Sequence, residues 1–258
     1  MCVLASDSKG NSTFLRIGEE RYLIDVGISV SKIKKALSEI GEDISELNGV
    51  LITHEHIDHI SGIKSLSKKH NLKFWLPFDT YQKIKKKTGN IDAEFIEIGE
   101  EFELGKNLIV VPYEIPHDAI YPVAYLIKST KGESIVGHLM DCGELNSYLM
   151  DGFRNVKILI LESNHSFDLL LKSEYPPFLK QRILSSKGHL SNWDAARFIC
   201  ETRPSIVILS HMSEKNNKIE TALAEIEDIC SNHLDGVSLP FFVVVNGKNR
   251  SVPIFSDI

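Results

Sequence analysis

The stretch Leu51-Ile52-Thr53-His54-Glu55-His56-Ile57-Asp58-His59-Ile60-Ser61-Gly62 gathers three histidines and an aspartate within six positions. An apolar run, Val50-Leu51-Ile52, precedes the cluster, and Ile60, Ile63 and Leu66 follow at helical spacing. The cluster therefore belongs where a buried strand stops and a helix begins. Chain direction changes sharply at such a junction. His54 and His56 can face one ion while Asp58 and His59 face a second. Imidazole and carboxylate suit zinc, manganese or iron. A lone histidine would read as an ordinary loop residue; four ligand-type side chains at this spacing read as a metal site.

Working outward, the preceding residues 2–25 read as strand, turn, strand, strand. A small-residue loop at 6–12 is placed to bring Ser8 and Asn11 near an anion, although a plain hairpin turn has the same composition. Ser31 to Ile40 is an amphipathic helix stopped by Gly41. Beyond the motif come a helix over 61–70, a strand over 73–76 and a helix over 79–88. Lysines 64, 68, 69, 83, 85, 86 and 87 make the dense basic block of the chain. A solvated helix face accounts for such a run, and so does a tract for backbone phosphates. Residues 94–139 are mainly β and suit one sheet of a sandwich. The second half alternates buried strands (156–161, 205–210, 239–245) with helices, and Ser191 or Asn192 caps the helix through Ile199.

His117, Asp141, Glu162, His165, His189 and His211 each fall at or just past an expected strand end or at a helix start. In a layered α/β fold such ends gather on one edge, where sites form. The chain has 258 residues, 43% of them hydrophobic, enough for a single domain spanning 1–258. A net charge of -6 argues against indiscriminate coating of nucleic acid. The four cysteines, Cys2, Cys142, Cys200 and Cys230, show no C-x-x-C pairing. Reduced thiols in a cytoplasmic protein with no membrane partner are expected. The sequence sets no oligomeric state.

The run T-H-E-H-I-D-H resembles the H-x-H-x-D-H signature of the metallo-β-lactamase superfamily. That resemblance implies a four-layer αβ/βα sandwich with a two-metal site on one edge. Matched residue by residue, it implies a first cation held by His54, His56, His117 and Asp141. Asp58, His59, Asp141 and His211 would hold the second. Two divalent cations, Zn or Mn with Fe as an alternative, suit phosphoester hydrolysis with metal-bound hydroxide as nucleophile. His189, in G-H-L-S-N, resembles the proton-donating histidine of the RNase Z-like branch, and Glu162 the glutamate that orients it. Asp58 joins these two as an expected catalytic residue.

Five stretches, L-A-S-D-S-K-G-N-S-T, T-H-E-H-I-D-H-I-S-G, E-S-N-H-S-F-D-L-L-L, G-H-L-S-N and L-S-H-M-S-E-K-N-N, together resemble the WalJ/YycJ group of that superfamily. The resemblance implies metal-dependent 5′-to-3′ exonuclease action on duplex DNA, with a link to DNA repair. It also implies group-specific site residues at Asn164, His165 and Asp168, touching substrate or supporting the ligands, with Asn216 and Asn217 contributing; Asn192 is a further expected substrate contact. Three positions depart from the group: Asp7 replaces glycine, Cys142 threonine, and His138 a small or apolar residue. A hydrolase of a cyclic phosphodiester, lactone or thioester, and a scaffold with structural metals, remain open from the sequence.

Overall fold

The computed structural model describes residues 1–233, 239–245, 251, 253 and 254. Strands β1 (Cys2–Asp7), β2 (Gly10–Ile17) and β3 (Glu20–Ile24) form an antiparallel meander. Helix α1 (Val30–Ser38) then carries the chain to β4 (Gly49–Leu51), parallel to β3. Two short helices, α2 (Ile57–Ile60) and α3 (Ile63–Lys69), lead to β5 (Lys73–Leu76). Helix α4 (Phe78–Thr88) and β6 (Asp92–Phe95) complete a six-stranded sheet in sequence order.

The second sheet starts with β7 (Phe102–Leu104), β8 (Leu108–Glu114), β9 (Val123–Ser129) and β10 (Ser134–Leu139), all antiparallel. Helix α5 (Ser147–Gly152) returns the chain to β11 (Ile158–Glu162), which lies parallel to β10. After α6 (Phe167–Lys172), α7 (Pro177–Ile183) and α8 (Asn192–Thr202) comes β12 (Ile206–Ser210). Helix α9 (Ile219–His233) and β13 (Phe241–Val244) follow, giving the order β13-β12-β11-β10-β9-β8-β7.

Parallel strands covered on both faces have continuously apolar sequences, as in Ile158-Leu159-Ile160-Leu161. Alternation splits that run between two layers. Ile158 and Ile160 pack between the sheets with Leu15, Ile24 and Leu51, whereas Leu159 and Leu161 pack under Leu149, Phe198 and Ile226 of the outer helices. On the other side Val50 and Phe74 meet Ile33, Leu37, Ile63 and Ile84 of α1, α3 and α4. The result is helix, sheet, sheet, helix, each fully buried aliphatic side chain contributing about 1.5–3 kcal/mol. Among the described residues no helix is long and apolar enough to cross a membrane.

Two bonds tie the histidine motif to the opposite sheet. Tyr125, wholly buried on β9, donates its hydroxyl to the Ile52 carbonyl at 2.6 Å, and the Val123 amide donates to the Thr53 carbonyl at 3.0 Å. Gly27 fixes the same region from the first sheet. A Cβ there would lie 1.6 Å from the Asp58 carbonyl oxygen, so only glycine lets the chain after β3 pass this close to α2.

Three elements differ from the sequence reading. The 6–12 stretch is the plain hairpin turn its composition allows, but narrower than the seven-residue loop expected: Ser6 pairs with Asn11 and Asp7 with Gly10 across β1 and β2. Its polar residues suggested a loop, yet Ser6, Asn11 and Ser12 are buried and bonded within the protein. The expected helix over 61–70 is split at Gly62, with α2 already begun at Ile57. Strand β6 belongs to the first sheet, beside β5, because α4 returns the chain to that sheet and not across the sandwich. The span 1–258 read as one domain includes residues outside the described set.

Candidate metal centre

Every expected ligand lies on one edge of the sandwich. His54 and His56 follow β4, and Asp58 and His59 sit in the first turns of α2. His117 follows β8. Asp141, Glu162 and His211 stand at the C-terminal ends of the adjacent parallel strands β10, β11 and β12. Parallel alignment is why residues twenty to seventy positions apart meet there.

Ligand atoms of His54, His56 and His117 all lie within 4.8 Å of one another, as do those of Asp58, His59 and His211, and those of His54, His59 and Asp141. Asp141 lies between the two histidine sets, with a carboxylate oxygen within 4.8 Å of ligand nitrogens of His54 and His59. Its Oδ2 is 2.8 Å from His59 Nε2, and its Oδ1 is 3.5 Å from His211 Nε2. Nε2 of His54 and Nε2 of His211 are buried without a hydrogen-bond partner. Leaving such atoms unsatisfied costs about 1–3 kcal/mol each. A cation at their common focus removes that cost, and the all-nitrogen-and-oxygen donor set fits a divalent one.

The charges within the cluster agree with this geometry. Burial would raise the Asp141 carboxyl, but His211 and His59 hold it well below the usual carboxylate range. Burial pushes His54 well below its ordinary value, which keeps the imidazole neutral as a ligand must be. Among the described residues, three of the five non-glycine residues with positive φ belong to the site: Asp25 at 62°, Asp141 at 55° and His211 at 54°. Left-handed backbone of this kind collects at functional sites because the surrounding fold has to enforce it.

Two buried carboxylates set the imidazoles. Asp25 was passed over in the sequence because it only ends an apolar strand. Its Oδ1 accepts the Thr53 amide at 2.8 Å, and its Oδ2 accepts the Thr53 hydroxyl at 2.8 Å and lies 2.7 Å from His59 Nδ1. A proton on Nδ1 leaves His59 Nε2 free to face the cluster. Glu162, wholly buried, does the same for two rings at once. Its Oε1 is 2.7 Å from His189 Nδ1 and 2.9 Å from His211 Nδ1. Its Oε2 accepts the amides of Cys142 at 3.1 Å and Leu190 at 3.3 Å. Burial pushes the Glu162 carboxyl up, yet the two imidazoles hold it at about 2. Glu162 in turn raises His189 against the effect of its burial. The resemblance assigned Glu162 to His189 alone; the structure gives it His211 as well.

Residues expected to touch substrate divide into two groups. Ser8 and Asn164 line a cleft of about 240 Å³ with His189, His211, Arg182 and Lys187. Asn11 is buried, its Nδ2 3.3 Å from Asp58 Oδ2 and 3.0 Å from His59 Nε2, so it acts on the cluster itself. Asn192 does not meet the expectation. It is wholly buried, and its amide is spent on Ser163, Asn217 and Glu225 at 2.6–3.1 Å, leaving no group for a ligand. Asn217 belongs to the same network and also holds the Ser163 carbonyl. His165 is buried with both ring nitrogens unpartnered, and Asp168 is an exposed helix residue paired with Lys172. The Asn216 side chain is buried, and neither of its amide atoms has a partner.

The three sequence departures leave the cluster intact. Asp7 closes its hairpin through Oδ1, which accepts the amides of Lys9 and Gly10. Burial pushes the Cys142 thiol up, and it donates to the Glu144 carbonyl. His138 is a buried residue of β10 between Tyr125 and Ile160, lowered to about 4 by burial. One further residue escaped the sequence reading. Asp118 lies 3.4 Å from His117 Nε2 and 3.9 Å from His56 Nε2, held by Arg182 of α7.

A family described as beta-lactamase superfamily domain matches residues 20–212, from β3 through the last of the clustered histidines. The chain belongs to the metallo-β-lactamase superfamily. This superfamily member is 32% identical to exodeoxyribonuclease WalJ of Streptococcus pneumoniae serotype 2, over 98% of this chain and 96% of that one. It is 29% identical to exodeoxyribonuclease YycJ of Bacillus anthracis, over 93% and 92%. Among solved structures, the metallo-β-lactamase fold protein YhfI from Bacillus subtilis superposes with a TM-score of 0.73 at 16% identity, covering 96% of this chain and 97% of that one. Igni18, a metallo hydrolase from Ignicoccus hospitalis, gives 0.67 at 16% identity over 99% and 100%. The two structures share the fold.

Proposed function

We propose that this superfamily hydrolase is a dinuclear metal-dependent phosphodiesterase that shortens duplex DNA from its 5′ end. His54, His56 and His117 hold one divalent cation, Asp58, His59 and His211 a second, and Asp141 lies between them. Zinc and manganese both suit these donors. Two cations, when bound, activate water and neutralise charge on a phosphoryl group. Asp25 and Glu162 fix the tautomers of His59 and His211, so that each ring presents Nε2 to the cluster.

The observation that carries this reading is the Glu162–His189 pair, 2.7 Å apart and 3.5 Å from Asp141 at its nearest. With Nδ1 engaged by Glu162, Nε2 of His189 is the ring's remaining donor, and His189 lines the open cleft. A protonated imidazole there delivers its proton to the departing O3′ of the terminal nucleotide as the P–O3′ bond breaks. The new phosphate then stays on the shortened strand. A thioester needs no such donor as strongly, since thiolates leave unaided. The two relatives that match over nearly their whole length, WalJ and YycJ, are named exodeoxyribonucleases, which favours DNA as substrate, and a cytoplasmic repair role agrees with that name.

The test uses manganese- or zinc-loaded protein with 5′-labelled linear duplex, closed circular DNA and bis(p-nitrophenyl) phosphate, alongside bound-metal analysis. Digestion from 5′ ends with circles spared is the expected result. Cleavage of the small ester alone, with linear DNA untouched, would point to a small-molecule phosphodiesterase on the same fold.

A further inference from the structure

His189 also lines a second cleft, of about 510 Å³. Its lining includes His165, Phe167, Leu184, His189 and Trp193. This volume falls within the range of about 300–1,000 Å³ that small ligands occupy. Phe167 and Trp193 stand at the starts of α6 and α8 and are 52% and 54% exposed. Large aromatic rings so exposed beside a reaction centre are platforms and not core. The Arg197 guanidinium lies over the Trp193 ring, 5.8 Å from its centroid, and stiffens that platform.

The floor of the cleft is polar where an apolar pocket would not be. His165 is 1% exposed, yet neither ring nitrogen has a partner. Its backbone is fixed, because the His165 carbonyl accepts the Asn192 amide at 2.9 Å. A neutral imidazole offers one donor and one acceptor. A buried pair of unpartnered polar atoms is rare in a folded protein and calls for a ligand that supplies the complement.

We infer that this cleft receives the base of the terminal nucleotide, stacked on Phe167 and Trp193 with one edge bonded to His165. The assignment rests on the phosphodiesterase reading, which places the departing O3′ on the His189 side. The base attached to that nucleotide is then next to the aromatic cleft, which shares His189 with the first cleft. Bases stack on aromatic side chains without strong sequence preference, and that tolerance suits an enzyme that must remove every nucleotide in turn.

The cleft and the parent reading are tested separately. In the first measurement, metal-loaded Trp75→Phe protein keeps Trp193 as its one tryptophan of the original two. Deoxyadenosine 5′-monophosphate is expected to quench its fluorescence saturably, and deoxyribose 5-phosphate to have no effect. His165→Ala in this background should weaken the nucleotide's binding. Equal quenching by both probes, or by neither, overturns the base pocket whether or not DNA is cut. In the second, linear duplexes carry an abasic residue at the 5′ terminus or at the next position. The intact enzyme should favour the complete terminus over the abasic one by about 5- to 150-fold in kcat/KM. Trp193→Ala should collapse that ratio towards one, and Trp193→Phe should restore part of it. The neighbouring-position substrate should show no comparable ratio. An undiminished ratio in Trp193→Ala, with metal content and melting temperature unchanged, overturns the assignment. Failure to cut any DNA while the mononucleotide still quenches Trp193 would leave the pocket standing and remove the exonuclease.

Discussion

Replacing Glu162 by glutamine changes one atom, yet it should impair both metal retention and turnover. Each carboxylate oxygen of Glu162 now faces two N–H groups: the Nδ1 atoms of His189 and His211 on one side, the amides of Cys142 and Leu190 on the other. If the glutamine NH2 turns towards the backbone amides of Cys142 and Leu190, it meets two donors. Two hydrogen bonds to a charged acceptor are then lost, at about 1.5–3 kcal/mol each, so about 3–6 kcal/mol in total. For a chain of this size that lowers Tm by about 6–24 °C. If the NH2 turns towards the imidazoles, they shift their protons from Nδ1 to Nε2 to accept it. A proton on His211 Nε2 occupies the atom that faces Asp141. Metal affinity should therefore fall about 10- to 100-fold. Chelator competition with zinc and a thermal melt of the metal-free protein read the two effects. Metal affinity within twofold of the parent, with Tm unmoved, would refute the claim that one buried carboxylate orients both rings.

His189→Ala removes the proposed proton donor without removing a ligand, so both cations should remain while turnover drops about 10²- to 10⁴-fold, read by metal analysis and steady-state kinetics together. Asp25→Asn should weaken metal binding about 10- to 100-fold with little change at His189, because it releases the Nδ1 atom of His59; isothermal titration against zinc checks this. Glu42 is gripped by Arg21 at 2.8 Å and Arg16 at 2.9 Å, and although burial acts upward, the two guanidiniums lower its carboxyl. A depressed folded-state pKa adds stability above the unfolded value and loses it as pH falls through the folded value. Urea unfolding of Glu42→Gln should thus show a deficit of about 1 kcal/mol at pH 7 that shrinks below pH 4; a deficit constant with pH would contradict the ion-pair account.

Much of the site was legible because its first half is local. His54, His56, Asp58 and His59 need only a strand end and a helix start, and Ile-rich runs before and after them announce both. The later ligands were legible for a related reason: a hydrophobic run that ends in a polar residue marks the edge of a buried strand. The polar supports were not legible. Asp25 ends its strand much as any aspartate might, and only the packing of β3 against β4 brings it to Thr53 and His59. Asn192 reads as a helix-cap candidate open to a ligand, but α8 docks against α9 and spends its amide on Asn217 and Glu225.

The amino-acid order by itself determined the strand and helix runs, the caps such as Ser191 with Asp194, and the seven-residue metal signature, because these depend on neighbours within one or two turns of chain. Tertiary structure alone decided which carboxylate holds which imidazole, which strand joins which sheet, and which polar side chain stays open to a ligand. Those outcomes join residues tens of positions apart, and only the alignment of parallel strand ends and the exclusion of water between layers set them.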